Sequence, residues 1–344
     1  MKIGIVGYQG SGKSSLFHWL TGVKPDPALA HAGQAAMVPI PDPRIAQLCE
    51  IYHPKKVTQA AMELLDTPGL NREHEGNPAR LGTLREAGCL VLVAPGFDRD
   101  DPLADLRSFE EDLVLADMEI LTNRISRVEE SLKKPVPRQE REHLQHEEST
   151  LKIVLAAIES GQPLREAHMT DEQRKVTRAF RLFSEKPRLV VVNTADDEPQ
   201  PQRFTAQASP ETPIVAIPVR LELELAQMEP EERVEFQKEM GVGGADRDEL
   251  VRTLLRVSGQ TTFFTAGEKE VRTWLLRSGG TAHEAADGIH SDLARGFIRA
   301  EVMTVADLVR LGSEREVKAH HLLRQEPKDY VVQDDDILLI RFSV

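Results

Sequence analysis

The sequence predicts an α/β protein: a mostly parallel sheet, interrupted by a helical arm and followed by a small β-grasp module. Three observations predict it. A strand, a glycine-rich loop and a helix open the chain within its first twenty residues. Apolar strand-like runs then alternate with helical patterns, with one long interruption at about 107–185. From Thr261 the pattern changes to short strands and turns.

Lys2–Val6 is the first strand. Gly7-Tyr8-Gln9-Gly10-Ser11-Gly12-Lys13-Ser14-Ser15 follows and fits G-x-x-x-x-G-K-[ST] without mismatch. Leu16-Phe17-His18-Trp19-Leu20 continues as a helix with an apolar face. Glycines let consecutive N–H groups turn inward onto phosphate oxygens, and the helix start adds donors and positive dipole. Lys13 can reach β- and γ-phosphates, and the Ser14 hydroxyl can bind Mg²⁺. The expected phosphate-binding residues are therefore Gly7, Gln9, Gly10, Ser11, Gly12, Lys13, Ser14 and Ser15. Such a motif would arise by chance on the order of 0.01 times in a chain this long.

Residues 22–43 are rich in Pro, Ala and Gly without a clear period, the place of the first mobile segment in a nucleotide switch. Pro39-Ile40-Pro41-Asp42-Pro43 closes it as a rigid extended piece. Arg44–Tyr52 carries helical spacing in Ile45, Leu48 and Ile51. Ala60–Leu65 is a second apolar strand ending in Asp66-Thr67-Pro68-Gly69-Leu70, a D-x-x-G pattern. Asp66 can hold the Mg²⁺ shell through water, and the Gly69 amide can sense the γ-phosphate. Cys89–Ala94, Arg188–Val192 and Pro213–Val219 supply three more strands. The fourth strand ends at Asn193-Thr194-Ala195-Asp196, where a base-reading N-K-x-D motif would sit.

The interruption carries Leu106, Phe109, Leu113, Met118, Leu121, Ile125, Val128 and Leu132, then Lys133-Lys134-Pro135-Val136-Pro137 as a break. A second run carries Leu144, Leu151, Leu155 and Ile158, so an antiparallel coiled-coil arm is expected. Glu222–Met240 reads as acidic and helical, and residues 243–248 as a linker. Thr262–Thr265 and Val271–Leu276 read as a hairpin, Ala282–Ile289 as a helix, and residues 329–342 as a second hairpin. The fold class is thus a P-loop NTPase G domain with an inserted coiled-coil arm and a C-terminal β-grasp domain.

Composition narrows the function. The chain has 344 residues, enough for two or three domains, and a net charge of −13, which argues against nucleic-acid binding through overall charge. Cys49 and Cys89 give neither a disulfide framework nor a metal cluster. No apolar run approaches a membrane span, and the first strand leaves no room for a signal peptide, so a cytoplasmic protein without membrane contact is expected.

These pieces resemble the YchF-type Obg-like ATPases. The resemblance rests on Thr262-Phe263-Phe264-Thr265-Ala266-Gly267, Gly296-Phe297-Ile298-Arg299-Ala300-Glu301 and Lys328-Asp329-Tyr330-Val331-Val332-Gln333-Asp334, which are similar to the family's TGS domain. Val38-Pro39-Ile40-Pro41-Asp42-Pro43-Arg44 and Glu111–Asp117 are similar to its G domain and coiled-coil start. The resemblance implies ATP or GTP binding with Mg²⁺, slow hydrolysis, and association with ribosomes or RNA through the TGS and helical domains. It implies residues 1–106 and 186–258 as the G domain, 107–185 as the inserted arm and 261–344 as the TGS domain.

The chain departs from that family at the water side of the site. No Thr lies between Thr21 and Thr58, and Ala30 falls near the place of the first-switch Thr. Leu70 occupies the place of the water-positioning Gln of ordinary GTPases, as is usual in the family. The second switch, Asn71–Asn77, is shortened and acidic, and Gly96–Asp101 lacks the family's loop His. His31 and His74 are the nearby candidates to replace it, with solvated loop residues as the alternative.

Asn193 and Asp196 keep guanine-type spacing, yet Thr194 replaces the Lys that would cover the base. The resemblance points to ATP, and the residues permit GTP. Two functions remain open: an NTPase switch in which Lys13 and Gly69 serve catalysis, with Ser14 and Asp66 on the metal, and a scaffold that binds nucleotide without hydrolysis. Lys269, Arg272, Arg277, Arg295 and Arg299 offer a basic face for RNA on the C-terminal domain, with a solvated surface as the alternative.

Overall fold

The computed structural model describes residues 1–72, 77–97, 101–161, 164, 169–198, 200–209, 212–240 and 244–343. They form two compact units, Met1–Ala36 with Glu63–Ala245, and Met37–Met62 with Asp246–Val344.

In chain order the first elements are β1 (Lys2–Val6), α1 (Lys13–Thr21), β2 (Gln34–Pro39), α2 (Arg44–Tyr52), β3 (Val57–Thr58), β4 (Ala61–Asp66), α3 (Asn77–Arg85) and β5 (Cys89–Gly96). Then come α4 (Pro102–Leu132), α5 (Arg138–Glu159), α6 (Asp171–Thr177), β6 (Arg188–Thr194), β7 (Ile214–Ile217), α7 (Val219–Leu225), α8 (Pro230–Met240) and α9 (Arg247–Val257). The chain ends with β8 (Gln260–Thr265), β9 (Val271–Arg277), α10 (Ala282–Ile289), α11 (Ser291–Arg295), β10 (Phe297–Thr304), α12 (Val305–Leu311), α13 (Glu314–Ala319), β11 (Arg324–Glu326) and β12 (Asp336–Phe342).

The first sheet runs β2-β4-β1-β5-β6-β7, and β4, β1, β5, β6 and β7 are parallel. β5 and β6 are buried along their whole length, as strands covered on both faces must be. Parallel pairing puts all the strand exits on one edge: Ile5 is level with Asp66, Val6 with Leu92, and Gly96 with Thr194. That register brings the glycine loop, Asp66 and Asn193 together from positions far apart in sequence.

α4 begins where Asp101 accepts a hydrogen bond from the Ala104 amide, with Pro102 in the first turn. Its first turns belong to the sheet core, since Phe109 and Leu113 pack with Leu92 and Val190. Farther along, Leu121 and Ile125 meet Leu151, Val154 and Ile158 of α5. A two-pronged Arg124–Glu147 pair at 2.7 and 2.9 Å crosses the seam. The sequence expects one helix over Glu222–Met240; α7 stops at Leu225 and α8 restarts at Pro230, which fits a first helical turn and cannot lie deeper in a helix.

The second unit has the sheet order β11-β10-β12-β8-β9-β3. β8 and β9 form the expected antiparallel hairpin, with Gln260 opposite Arg277. The second hairpin expected over residues 329–342 does not form. The buried Asp336 carboxylate accepts from the Tyr330 hydroxyl and the Gln333 amide at 2.8 Å each, so the preceding residues fold into a turn. β12 pairs instead with β10, antiparallel, and with β8, parallel.

Met37–Met62, which the sequence reading assigns to the N-terminal domain, clusters with this unit. β3 adds to β9, and Ile45 and Leu48 bury their side chains against Phe264, Val271 and Ile337. The Arg44 guanidinium bonds Asp42 and Asp334 and lies 4.8 Å over the Phe264 ring. The amphipathic face of α2 needs an apolar partner, and the C-terminal sheet supplies it.

Candidate nucleotide site

The glycine loop is held by its own backbone and by the D-x-x-G segment. The Gln9 amide donates to Leu70 O and the Leu70 amide to Gly7 O, both at 3.1 Å. The Thr67 hydroxyl donates to Ile5 O at 2.6 Å. These bonds continue the β1–β4 pairing past the strand ends and fix the two motifs as one piece.

Lys13 is almost fully buried, and its ammonium donates to Tyr8 O at 2.7 Å. Burial pushes its pKa down to about 8, against the pull of Asp66, and the charges of Arg72 and Arg80 push the same way. A cation held out of water among further cations is matched to a polyanion. Gly69 is packed so closely that a Cβ would lie 2.9 Å from the Gln9 backbone nitrogen and 2.8 Å from the Lys13 ammonium, which favours glycine there. Gly12 has φ of +96°, and a Cβ there would collide with the Asn193 amide.

Ser14 hydrogen-bonds the Asp66 carboxyl, whose pKa is raised by burial despite that bond and the nearby Lys13. Asp66 Oδ1 is buried and has no hydrogen-bond partner. A hydroxyl and a carboxylate with a spare buried oxygen fit a hard cation that takes oxygen ligands and keeps water. No group of three or more His, Cys, Asp or Glu that could hold a metal ion forms among the described residues.

A cavity of about 400 Å³ opens over these groups, bordered by Gln9, Gly10, Lys13, Ser14, Asp66 and Gly69. Its other wall comes from the segment after α1, where Ala30 and His31 stand. The Gln34 side chain pins that segment, accepting from the Asp26 amide at 2.7 Å and donating to Lys24 O at 3.1 Å. His74 lies outside the described residues.

Of the remaining expected residues, Gly7 and Ser15 flank the cradle, and Ser11 is buried in it with its hydroxyl unpartnered. Asn193 meets the loop as a brace: its amide donates to Ser11 O and accepts from the Val219 amide, both at 3.2 Å. Asp196 forms an ion pair with Arg220 at 3.0 Å. Arg220 is exposed and Asp196 half-buried, so solvent screens the pair on one side.

Sequence reasoning missed Arg80. It borders the cavity and donates to Gly69 O at 2.8 Å. No motif marks it; it lies one turn into a helix whose start falls in the shortened second switch. Leu70 is fully buried among Tyr8, Leu92 and Leu113, so its side chain does not face the cavity.

The cradle is tied to the arm as well. The Tyr8 hydroxyl donates to Asp112 at 3.0 Å, Arg72 lies 4.8 Å over the Tyr8 ring, and Arg72 pairs with Asp105 at 2.6 Å. Loop, second switch and α4 therefore share one cluster.

The chain is similar to known proteins along its whole length. A family described as 50S ribosome-binding GTPase matches residues 2–136, and YchF-GTPase_C, described as a protein of unknown function, matches residues 260–343. The chain is 33% identical to the ribosome-binding ATPase YchF of Bacillus subtilis, over 99% of each chain. It is 33% identical to Obg-like ATPase 1 of Oryza sativa subsp. japonica, over 100% of this chain and 92% of that one. The structure of the Schizosaccharomyces pombe YchF GTPase superposes with a TM-score of 0.85 at 25% identity, covering 99% of this chain and 97% of that one.

Proposed function

Since the chain belongs to the YchF family, we propose that it is a P-loop nucleoside triphosphatase that holds ATP with Mg²⁺ in the 400 Å³ cavity and works on the ribosome. The buried Lys13 ammonium beside the Ser14–Asp66 pair is the observation that carries this reading.

In it, the amides of residues 9–14 and Lys13 grip the phosphates, while the Ser14 hydroxyl and Asp66 carboxylate hold Mg²⁺. Bound there, Mg²⁺ would offset charge on the phosphate oxygens. Asn193 keeps the loop in shape, and Asp196 reads the base after leaving Arg220. Gly69 permits close approach to the γ-phosphate, and Arg80, bonded to its carbonyl, adds positive charge at that end. The Tyr8–Asp112 and Arg72–Asp105 contacts support transmission from the cradle to the arm. Ribosome association, through the arm or the C-terminal domain, rests on what the relatives' names state. A cytoplasmic location follows from it, and among the described residues no helix is long and apolar enough to cross a membrane.

A second reading, nucleotide binding without useful hydrolysis, is favoured by Leu70 pointing into the core and by Ala30 at the cavity wall. Single-turnover assays with ATP and with GTP separate the two. Mg²⁺-dependent product formation that Lys13→Ala abolishes supports the enzyme. Tight binding with no product over background leaves the scaffold, and failure to bind either nucleotide removes both.

A further inference from the structure

A second cavity, of about 440 Å³, lies at the far edge of the first sheet. Its walls include Arg85–Gly88 and Glu185–Pro187, the residues that enter β5 and β6. The phosphate loop follows the exit of β1, which is parallel to both. A strand's length, about 20 Å, therefore separates the two cavities.

The charges around it are unevenly matched. Arg174, Arg178 and Arg181 border the cavity, are exposed, and form no ion pair among the described residues. The other groups there are committed. Arg85 pairs with the buried Asp117 at 2.9 Å. The Lys186 ammonium donates to the carbonyls of Leu84, Arg85 and Ala87, closing the end of α3. Glu86 is matched by Lys2 at 3.5 Å.

Glu185 differs. Its Oε1 is buried and has no hydrogen-bond partner, and burial holds its carboxyl above the usual range. One cavity therefore presents three exposed guanidinium groups, of which Arg174 also attracts Glu185, and a Glu185 carboxyl that bonds Thr177 through one oxygen and leaves the buried Oε1 without a hydrogen-bond partner. Guanidinium forks fit phosphate oxygens, and a buried carboxyl oxygen is satisfied by a donor such as a hydroxyl or amine. An anion without a proton, such as sulfate, satisfies only the first feature; a phosphorylated compound with a neighbouring hydroxyl or amine satisfies both.

We propose that this cavity binds a small phosphorylated metabolite, its phosphate held by Arg174, Arg178 and Arg181 and a hydroxyl or amino group bonded to Glu185. The site is independent of the nucleotide reading, since it shares no residue with the first cavity.

The test is calorimetric titration of the full chain with ribose 5-phosphate, glucose 6-phosphate, fructose 1,6-bisphosphate and pyrophosphate, with and without ADP. At least one sugar phosphate should bind at a single site, more tightly than pyrophosphate, and ADP should not compete. Arg174→Ala with Arg178→Ala should weaken it at least tenfold, with circular dichroism unchanged. Glu185→Ala should remove the preference for the sugar phosphate over pyrophosphate. Competition by ADP, no binding by any sugar phosphate, or affinity indifferent to the arginine changes would overturn the proposal. So would binding of a short single-stranded RNA alone, lost in the same double variant.

Discussion

On one side of the nucleotide cavity the chain folds back on itself. Tyr8, Gln9 and Lys13 bond within the loop or to the strand-end segment paired with it. On the other side, Ala30 with His31 and Arg80 arrive from two separate segments, while Leu70 turns its side chain into the core. The gripping side uses backbone donors, which a short motif determines. The water side uses side chains, whose placement depends on loops of variable length. A gripping half can therefore be retained while the hydrolysing half is rebuilt.

The contrast is broken most sharply at Lys13. Lys13→Ala removes the one buried ammonium in the cradle, and charge-assisted hydrogen bonds contribute about 1.5–3 kcal/mol each. Nucleotide affinity should fall about 100-fold in calorimetric titration, with turnover lost. Retained micromolar binding would show that the cradle grips without it.

Leu70→Gln tests the other half. If this position faced water, Gln would raise turnover as a water-positioning group. Because Leu70 is 0% exposed, the variant should instead lose about 2–4 kcal/mol in chemical denaturation, through lost packing and a buried amide. A faster enzyme of unchanged stability would overturn the assignment of Leu70 to the core. Arg80→Ala should lower single-turnover hydrolysis about 10- to 100-fold while nucleotide affinity changes less than about threefold. An equal loss in both would make Arg80 a simple binding residue.

The pH dependence of binding reads the same cradle. Only the ammonium form of Lys13 grips phosphate. Burial lowers its pKa to about 8, and a polyphosphate beside it raises that value again. Binding above pH 8 therefore takes up a proton, so affinity falls as pH rises, by up to about tenfold per unit. Below pH 7 this group contributes no slope. Titrations in buffers of different ionisation enthalpy from pH 7 to 9.5 check it, and a flat profile would contradict a desolvated lysine.

What the sequence made legible follows the same division. The strand–loop–helix start, the D-x-x-G strand end and the proline-broken arm are local patterns, and each forms as read. Hydrophobic period cannot say which core an amphipathic helix enters, and the resemblance places α2 in the N-terminal domain, whereas the C-terminal sheet buries Ile45 and Leu48. The expected hairpin at residues 329–342 was lost to Asp336, whose buried carboxylate makes a turn that no β-propensity reports. Arg80 carried no signal because its role depends on where a helix starts, and the second cavity needs residues about a hundred positions apart. Asn193 fell where a base motif belongs, but its spacing did not show that both ends of its amide serve the loop.

The smallest expected effect tests whether gripping side and arm are joined. Tyr8→Phe deletes only the hydroxyl that donates to Asp112 and keeps the ring against Phe109, at 5.4 Å between centroids, and under Arg72. One such hydrogen bond contributes about 1 kcal/mol. Nucleotide affinity should stay within about twofold, because the loop carbonyl that meets Lys13 belongs to the backbone. Amide hydrogen exchange in residues 101–117 should nevertheless quicken about fivefold, since the first turns of α4 lose one of their ties to the loop. If exchange there is unchanged while stability falls by the same amount, the hydroxyl serves packing alone, and the cradle must reach the arm through Arg72 and Asp105.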